Sequence, residues 1–176
     1  QSLNVQVSGV TQYKYKLGPA SSVSCSSKGG FGSAIAASQA ITDSLSTFTD
    51  GPLKLCVIGF DGTVWQPEIL ASEHSWNKDT AALTVNIQKT AGQADPTRTT
   101  PAHFSIDFNK AVANFSLSHL TLSGPTLSAA LSSTDNKHFD LAISSIAASG
   151  TVSVSLQAGK VSDLAGNLNQ ASSATG

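Results

Sequence analysis

Acidic and amide side chains in predicted loops are the residues of this sequence best suited to bind a metal. Asp79, Asp95, Asp163 and Asn167 all lie in or beside predicted turns. Carboxylate and amide oxygens, completed by backbone carbonyls, are the ligands that calcium prefers. Calcium is therefore the metal they would favour, and no other cofactor is indicated. The alternative is that Asp and Asn stand there because both favour turns, and the sequence leaves both interpretations open.

Three aromatic residues could instead bind a sugar. Tyr13, Tyr15 and Trp65 lie in predicted strands, where a ring can stack on a glycan or pack in a core. Packing in the core is favoured for the group as a whole. Tyr13 or Tyr15 is expected to be the more exposed exception.

The sequence shows no motif for catalysis. The histidines follow neither HxH nor HExxH spacing, and the many serines include no G-x-S-x-G segment. We therefore predict that the protein is not an enzyme. The four histidines are expected at the surface or at strand edges; they are His74, His103, His119 and His138.

Both cysteines, Cys25 and Cys56, lie in the first half of the chain. Their spacing is far too long for a CxxC redox site, and zinc would need further paired ligands. A disulfide formed in an oxidising compartment is the simplest prediction. Two buried free thiols are the alternative.

The charge composition argues against two classes of partner. Only 12% of the residues are charged and the net charge is −1, so nothing would attract nucleic acid or an anionic membrane. No apolar run approaches the roughly 18–20 residues of a membrane span. We expect neither nucleic-acid binding nor membrane insertion.

Alternating apolar and polar residues predict an all-β protein. The pattern is clear in residues 83–88 and 103–109 and continues in 112–122. Residues 52–60 are predicted to form a central strand that is apolar on both faces in its middle. Gly, Pro and Asn turns recur at β-sandwich spacing. A polar joint at residues 76–80 divides the pattern. We predict two tandem immunoglobulin-like β-sandwich modules, a disulfide-containing one at 1–78 and a second at 79–176.

The C-terminal stretch is a poor candidate for a closing strand. After Leu168 it contains no Val, Ile or aromatic residue. We therefore expect the last strand of the second module to lie outside this chain or to be missing. The sequence also contains no Met, and we expect it to be part of a longer chain.

Four ordered segments of the second half resemble a bacterial immunoglobulin-like domain. These segments are QADPT at 93–97, FSIDFNKAV at 104–112, LTLSG at 120–124 and DLAGN at 163–167. The resemblance covers nearly all of residues 81–170. Such domains occur in tandem along large adhesins, and calcium often stiffens the joints between them.

The first half is similar to another tandem module of such surface proteins. The similarity rests on YKYKL at 13–17, DG at 50–51, LCVIG at 55–59, WQ at 65–66 and SWNKDT at 75–80. The family's usual Asp-x-x-Gly-Asn turn is shortened here to DGT at 61–63. The resemblance implies an extracellular or cell-surface location, in a Gram-negative bacterium, and a non-catalytic role in a surface adhesin or fibre. The implied partner is another cell surface, through a glycan or a protein. The alternatives are a glycan-binding module and an accessory domain of a secreted enzyme.

Overall fold

A computed structural model describes residue 3 and residues 5–125, 128–144 and 148–175. The chain divides into two compact units, Gln1–Asp79 and Thr80–Gly176. The described secondary structure consists of β-strands and three short 3₁₀ turns, at Leu45–Thr47, Glu68–Leu70 and Leu117–His119. The prediction of an all-β fold is confirmed.

The first unit is built on a four-stranded antiparallel sheet. Its long central strand carries apolar residues on both faces, as its sequence predicts. The strands are β1 (Gln12–Pro19), β2 (Ile35–Ala36), β3 (Gly51–Phe60) and β4 (Ser72–Lys78). In spatial order the sheet runs β2-β1-β3-β4.

Each face of this sheet is covered by a different part of the first unit. On one face, Tyr13, Leu55 and Val57 pack with Ile41 and with half-buried apolar side chains near the N-terminus. A β-bridge between Leu3 and Ile41 holds that layer together. On the other face lies the loop that carries Cys25. A disulfide joins Cys25 to Cys56 of β3, with 5.3 Å between their Cα atoms, so the predicted bridge is confirmed.

The side chain of Lys16, in β1, fixes the loop around Cys25 by hydrogen bonds. Lys16 pairs with Cys56 across β1 and β3 and is only 9% exposed. Its Nζ donates to the carbonyl of Ser24 (3.1 Å) and to the carbonyl (2.7 Å) and hydroxyl (3.0 Å) of Ser27. The ammonium also lies 4.3 Å from the centre of the Phe31 ring. Three oxygens and an aromatic face thus replace the water that burial removes.

Lys16→Met should therefore destabilise the first unit by about 1–3 kcal/mol, because two carbonyls lose a charged donor while the apolar stem is kept. Denaturant unfolding followed by tryptophan fluorescence measures this, since Trp65 and Trp76 both lie in the first unit. The matched control is Lys28→Met, an exposed lysine of the same loop, which should change stability by less than about 0.5 kcal/mol. Equal midpoints for the two variants would contradict the role given to Lys16.

The second unit has two antiparallel sheets. The larger sheet contains β5 (Val85–Lys89), β6 (Ala102–Phe108), β8 (Ser128–Ser133) and β9 (His138–Ser144). The smaller sheet contains β7 (Leu120–Ser123), β10 (Ser153–Leu156) and β11 (Ser172–Thr175). In spatial order the larger sheet runs β5-β6-β9-β8 and the smaller β11-β10-β7.

The core of the second unit lies between the two sheets. Along β6 every second residue is buried, from Ala102 to Phe108, as the strict alternation of this segment predicts. These side chains pack with alternate residues of β9 and β10 to form one cluster. Aromatic edge-to-face contacts join Phe108 to Phe115 (5.1 Å) and Phe115 to Phe139 (4.8 Å).

The expectation that this unit lacks a closing strand is wrong. Ser172–Thr175 form β11, which pairs antiparallel with all four residues of β10. Asn169, only 3% exposed, directs the chain towards this strand. Its Oδ1 accepts from the N–H groups of Lys160 and Val161, both at 2.8 Å, and its Nδ2 donates to two carbonyls. Backbone pairing and a satisfied buried amide outweigh the poor strand propensity of this segment.

Candidate functional site

The turn at 163–167 is organised by one buried carboxylate. Asp163 is only 3% exposed. Its Oδ1 accepts from the backbone N–H groups of Ala165 (2.9 Å) and Asn167 (2.8 Å). Its Oδ2 accepts from the Asn167 amide (2.9 Å) and from Lys110 Nζ (3.0 Å). The sequence therefore brings Asp163 and Asn167 together, as predicted for a tight acidic turn.

These contacts decide the charge state of Asp163. Burial opposes ionisation, but the hydrogen bonds from Asn167, Lys110 and Ala165 outweigh it and lower the pKa of Asp163 to about 2. The carboxylate is therefore ionised at neutral pH and paired with the Lys110 ammonium. The turn is therefore held by the ion pair between Asp163 and Lys110 and by the N–H groups that donate to the Asp163 carboxylate.

Lys110 is the partner of Asp163 that was not predicted from the sequence. It follows β6, and its Nζ also donates to the carbonyl of Ala81 at 2.6 Å. Lys110 is 53 residues from Asp163 in the chain, so no local pattern reveals the pairing. The available signal was a lone lysine directly after a buried strand, in a chain with few charges.

The predicted sugar-binding aromatics do not form one surface. Tyr13 has none of its surface exposed, so of the two tyrosines expected as the exposed exception only Tyr15, which is half-buried, stays a candidate. Its hydroxyl donates to the Gln39 carbonyl at 2.7 Å. Tyr13 therefore belongs to the core of the first unit, where its polar end is satisfied.

Tyr15 and Trp65 are half-buried. The Tyr15 hydroxyl donates to Asp43 (2.7 Å), and burial together with this hydrogen bond raises the pKa of Tyr15 to about 12. Trp65 packs against Phe60, with 5.1 Å between ring centres, and Lys14 Nζ lies 4.4 Å from the centre of the Trp65 ring. A glycan that stacks on Trp65 would therefore compete with Phe60 and Lys14 for the surface of the ring.

Two histidines of the second unit pair with carboxylates. His103 Nδ1 lies 2.9 Å from Asp140, and His138 Nδ1 lies 2.6 Å from Asp135. Ser105 faces Asp140 across the sheet, but its buried hydroxyl has no hydrogen-bond partner in the described part of the chain. The His103–Asp140 pair therefore does not activate this serine as a nucleophile.

Comparison with protein families identifies the second unit. A family model described as a bacterial Ig-like domain matches residues 79–176, more than half of the chain. The chain belongs to the bacterial Ig-like domain family. No curated protein and no solved structure matches it significantly. The match begins at residue 79, so the similarity of residues 13–80 to a second module type stays a prediction.

The carboxylates predicted to bind calcium have different surroundings in this bacterial Ig-like protein. N–H donors surround the Asp163 carboxylate and would repel a cation, so this residue fits a turn former better than a calcium ligand. Asp95 pairs with Lys89 at 3.1 Å, and Asp79 is half-buried at the end of the first unit. Among the described residues, no group of three or more His, Cys, Asp or Glu side chains could hold a metal ion. Calcium at Asp79 or Asp95 stays a prediction.

Family membership and the disulfide together indicate a surface or extracellular module, because disulfides persist in oxidising compartments. Among the residues with described positions, no helix has the length and hydropathy needed to cross a bilayer.

Proposed function

We propose that this chain is a non-catalytic, extracellular segment of a surface adhesin or fibre of a Gram-negative bacterium, and that it mediates attachment to another cell. The observation that carries the proposal is the bacterial Ig-like domain at 79–176 in a chain whose first unit is held by a disulfide. The partner is a protein or glycan on the opposing surface. The chain works as part of a longer protein and needs no cofactor; calcium at Asp79 or Asp95 is the alternative.

Two further features support a role in binding rather than catalysis. The Ser105 hydroxyl, which faces Asp140 across the sheet, makes no hydrogen bond to the His103–Asp140 pair. The first unit also exposes large apolar side chains close together in sequence, Val64, Ile69 and Leu70, each more than 60% exposed. Exposed apolar side chains that form a contiguous patch are typical of interaction surfaces.

Beads coated with the purified chain should bind to a panel of bacterial and epithelial cells, and free chain should compete for the binding. Beads coated with albumin provide the baseline. The disulfide should be kept oxidised throughout, because the surface of the first unit depends on it. Binding at the albumin level on every cell type would contradict the attachment role.

A glycan-binding role is the second candidate, supported by the half-buried Trp65 at the surface of the first unit. Periodate treatment of the target cells and Trp65→Ala should both abolish bead binding if a sugar stacks on this ring. Trp65→Phe is the matched control, since it keeps an aromatic face at this position and should retain binding. Loss of binding after protease treatment alone would instead identify a protein partner.

A further inference from the structure

The outer strand of the first unit has an unpaired edge. β4 spans seven residues and pairs with β3 along its whole length. It stands last in its sheet, so its other edge has no strand partner in the part of the chain that the structure describes. Of the strands at sheet edges among these residues, β4 is the longest; β8 has six residues, and the remainder have five or fewer.

The hydrogen bonds of β3 define which groups point outward from β4. Ala20 N–H donates to the Pro52 carbonyl at 2.9 Å, so Pro52 faces β1. Because successive residues of a strand face opposite neighbours, Leu53 faces β4 and bonds with Trp76 opposite it. The same alternation directs the N–H and C=O groups of Glu73, Ser75 and Asn77 away from the sheet.

This edge lacks the devices that normally prevent strand addition. It contains no proline, and its register with β3 is continuous, without a bulge. Its two charged side chains are already neutralised within the first unit. Glu73 pairs with Lys54 at 2.9 Å, and Lys78 pairs with Asp50 at 2.8 Å. A second strand approaching this edge therefore meets no uncompensated charge.

The sequence of β4 is complementary to itself in one antiparallel register. With a two-fold axis at Ser75, the outward-facing residues of one copy face those of the other, as hydrogen bonding requires. Glu73 then lies opposite Asn77 of the second copy, and His74 lies opposite Trp76. No like charges meet. His74 and Trp76 already stack within each strand, 5.9 Å apart, so the two aromatic pairs would form one cluster across the axis.

We propose that β4 pairs with β4 of a second copy of this chain, antiparallel about Ser75, so that one sheet continues through two first units. The pairing of the His74 and Trp76 rings, together with the absence of like-charge contacts in this register, favours a second copy over an unrelated peptide. A single strand pair buries little surface, so the contact is weak in dilute solution and suits chains held close together. This inference does not rest on the attachment role.

Sedimentation equilibrium of the full chain, at concentrations up to about 1 mM, tests the pairing. The wild type should form dimers. Ser75→Pro removes an outward N–H that β3 does not use, and an edge strand tolerates such a proline. It should weaken dimerisation at least about tenfold. Ser75→Ala keeps the N–H and should match the wild type. Thermal unfolding of both variants checks that β4 is intact.

Two variants of Asn77 test the register in opposite directions. In the dimer, Asn77→Lys places a cation opposite Glu73 of the other copy at two symmetric positions. It should lower the dissociation constant of the dimer about three- to tenfold. Asn77→Glu places like charges there and should weaken the dimer by a similar factor. The proposal is wrong if the wild type stays monomeric, if Ser75→Pro has no effect on a dimer, or if both Asn77 variants shift the affinity in the same direction. A monomer that binds a foreign extended peptide at this edge would also overturn it.

Discussion

Asp163→Ala should destabilise the second unit by about 3–5 kcal/mol, because it leaves Lys110 without its buried carboxylate and removes the acceptor that closes the 163–167 turn. All tryptophans and tyrosines lie before residue 80, so fluorescence does not report on this unit. Hydrogen exchange of β10 and β11 followed by mass spectrometry measures the change. Asp163→Asn is the matched control, since it keeps the size and one acceptor and should cost less than the alanine variant. Native exchange rates in Asp163→Ala would contradict the structural role of the ion pair.

The same carboxylate should make the second unit sensitive to acid. The pKa of Asp163 is lowered from 3.8 to about 2 by its hydrogen bonds. Its contribution is therefore fully present above pH 4 and is lost as the pH falls towards 2. Asp135 also has a lowered pKa, caused by hydrogen bonds from His138 and Lys137. The informative quantity is thus the difference between wild type and Asp163→Asn, which should shrink between about pH 4 and pH 2. A difference independent of pH would contradict the lowered pKa.

Loss of the disulfide should destabilise the first unit by about 3–4 kcal/mol in the chain-entropy model, since the two cysteines are 31 residues apart. The double variant Cys25→Ala, Cys56→Ala and the wild type in reducing agent should both show the effect in tryptophan fluorescence. The loop around Cys25 buries few apolar side chains, so without the disulfide its hydrogen bonds with Lys16 should weaken as well.

Thiol titration provides the independent check on this bridge. The denatured, unreduced protein should show no titratable thiol, and the reduced protein should show two. Two thiols without reduction would mean that the cysteines are free, and the argument for an oxidising compartment would lose its basis. A double variant as stable as the wild type would show that the bridge contributes little to the first unit.

The sequence and the structure agree best where the residue pattern of a strand is complete over its own length, either alternating or apolar on both faces. Alternation at 103–109 corresponds to β6, and the predicted central strand at 52–60 lies within β3. They agree less at 112–122, where the predicted continuous strand is a 3₁₀ turn followed by the short strand β7. Side-chain alternation predicts that a segment can be a strand, whereas the position of a partner backbone determines how much of it becomes one.

By itself the sequence determined the alternating strand at 103–109, the central strand of the first unit, the tight acidic turn at 163–167 and the chemistry that permits a disulfide. All of these depend on neighbouring residues or on residue type alone. The tertiary structure decided that Tyr13 is buried while Trp65 is half-buried, that Lys110 pairs with Asp163, and that a segment of Ser, Ala and Thr forms β11. Each of these depends on which distant segment covers a face or completes a ladder. Such non-local pairing is set by the packing of the whole unit, so propensity and periodicity within a short window do not reveal it.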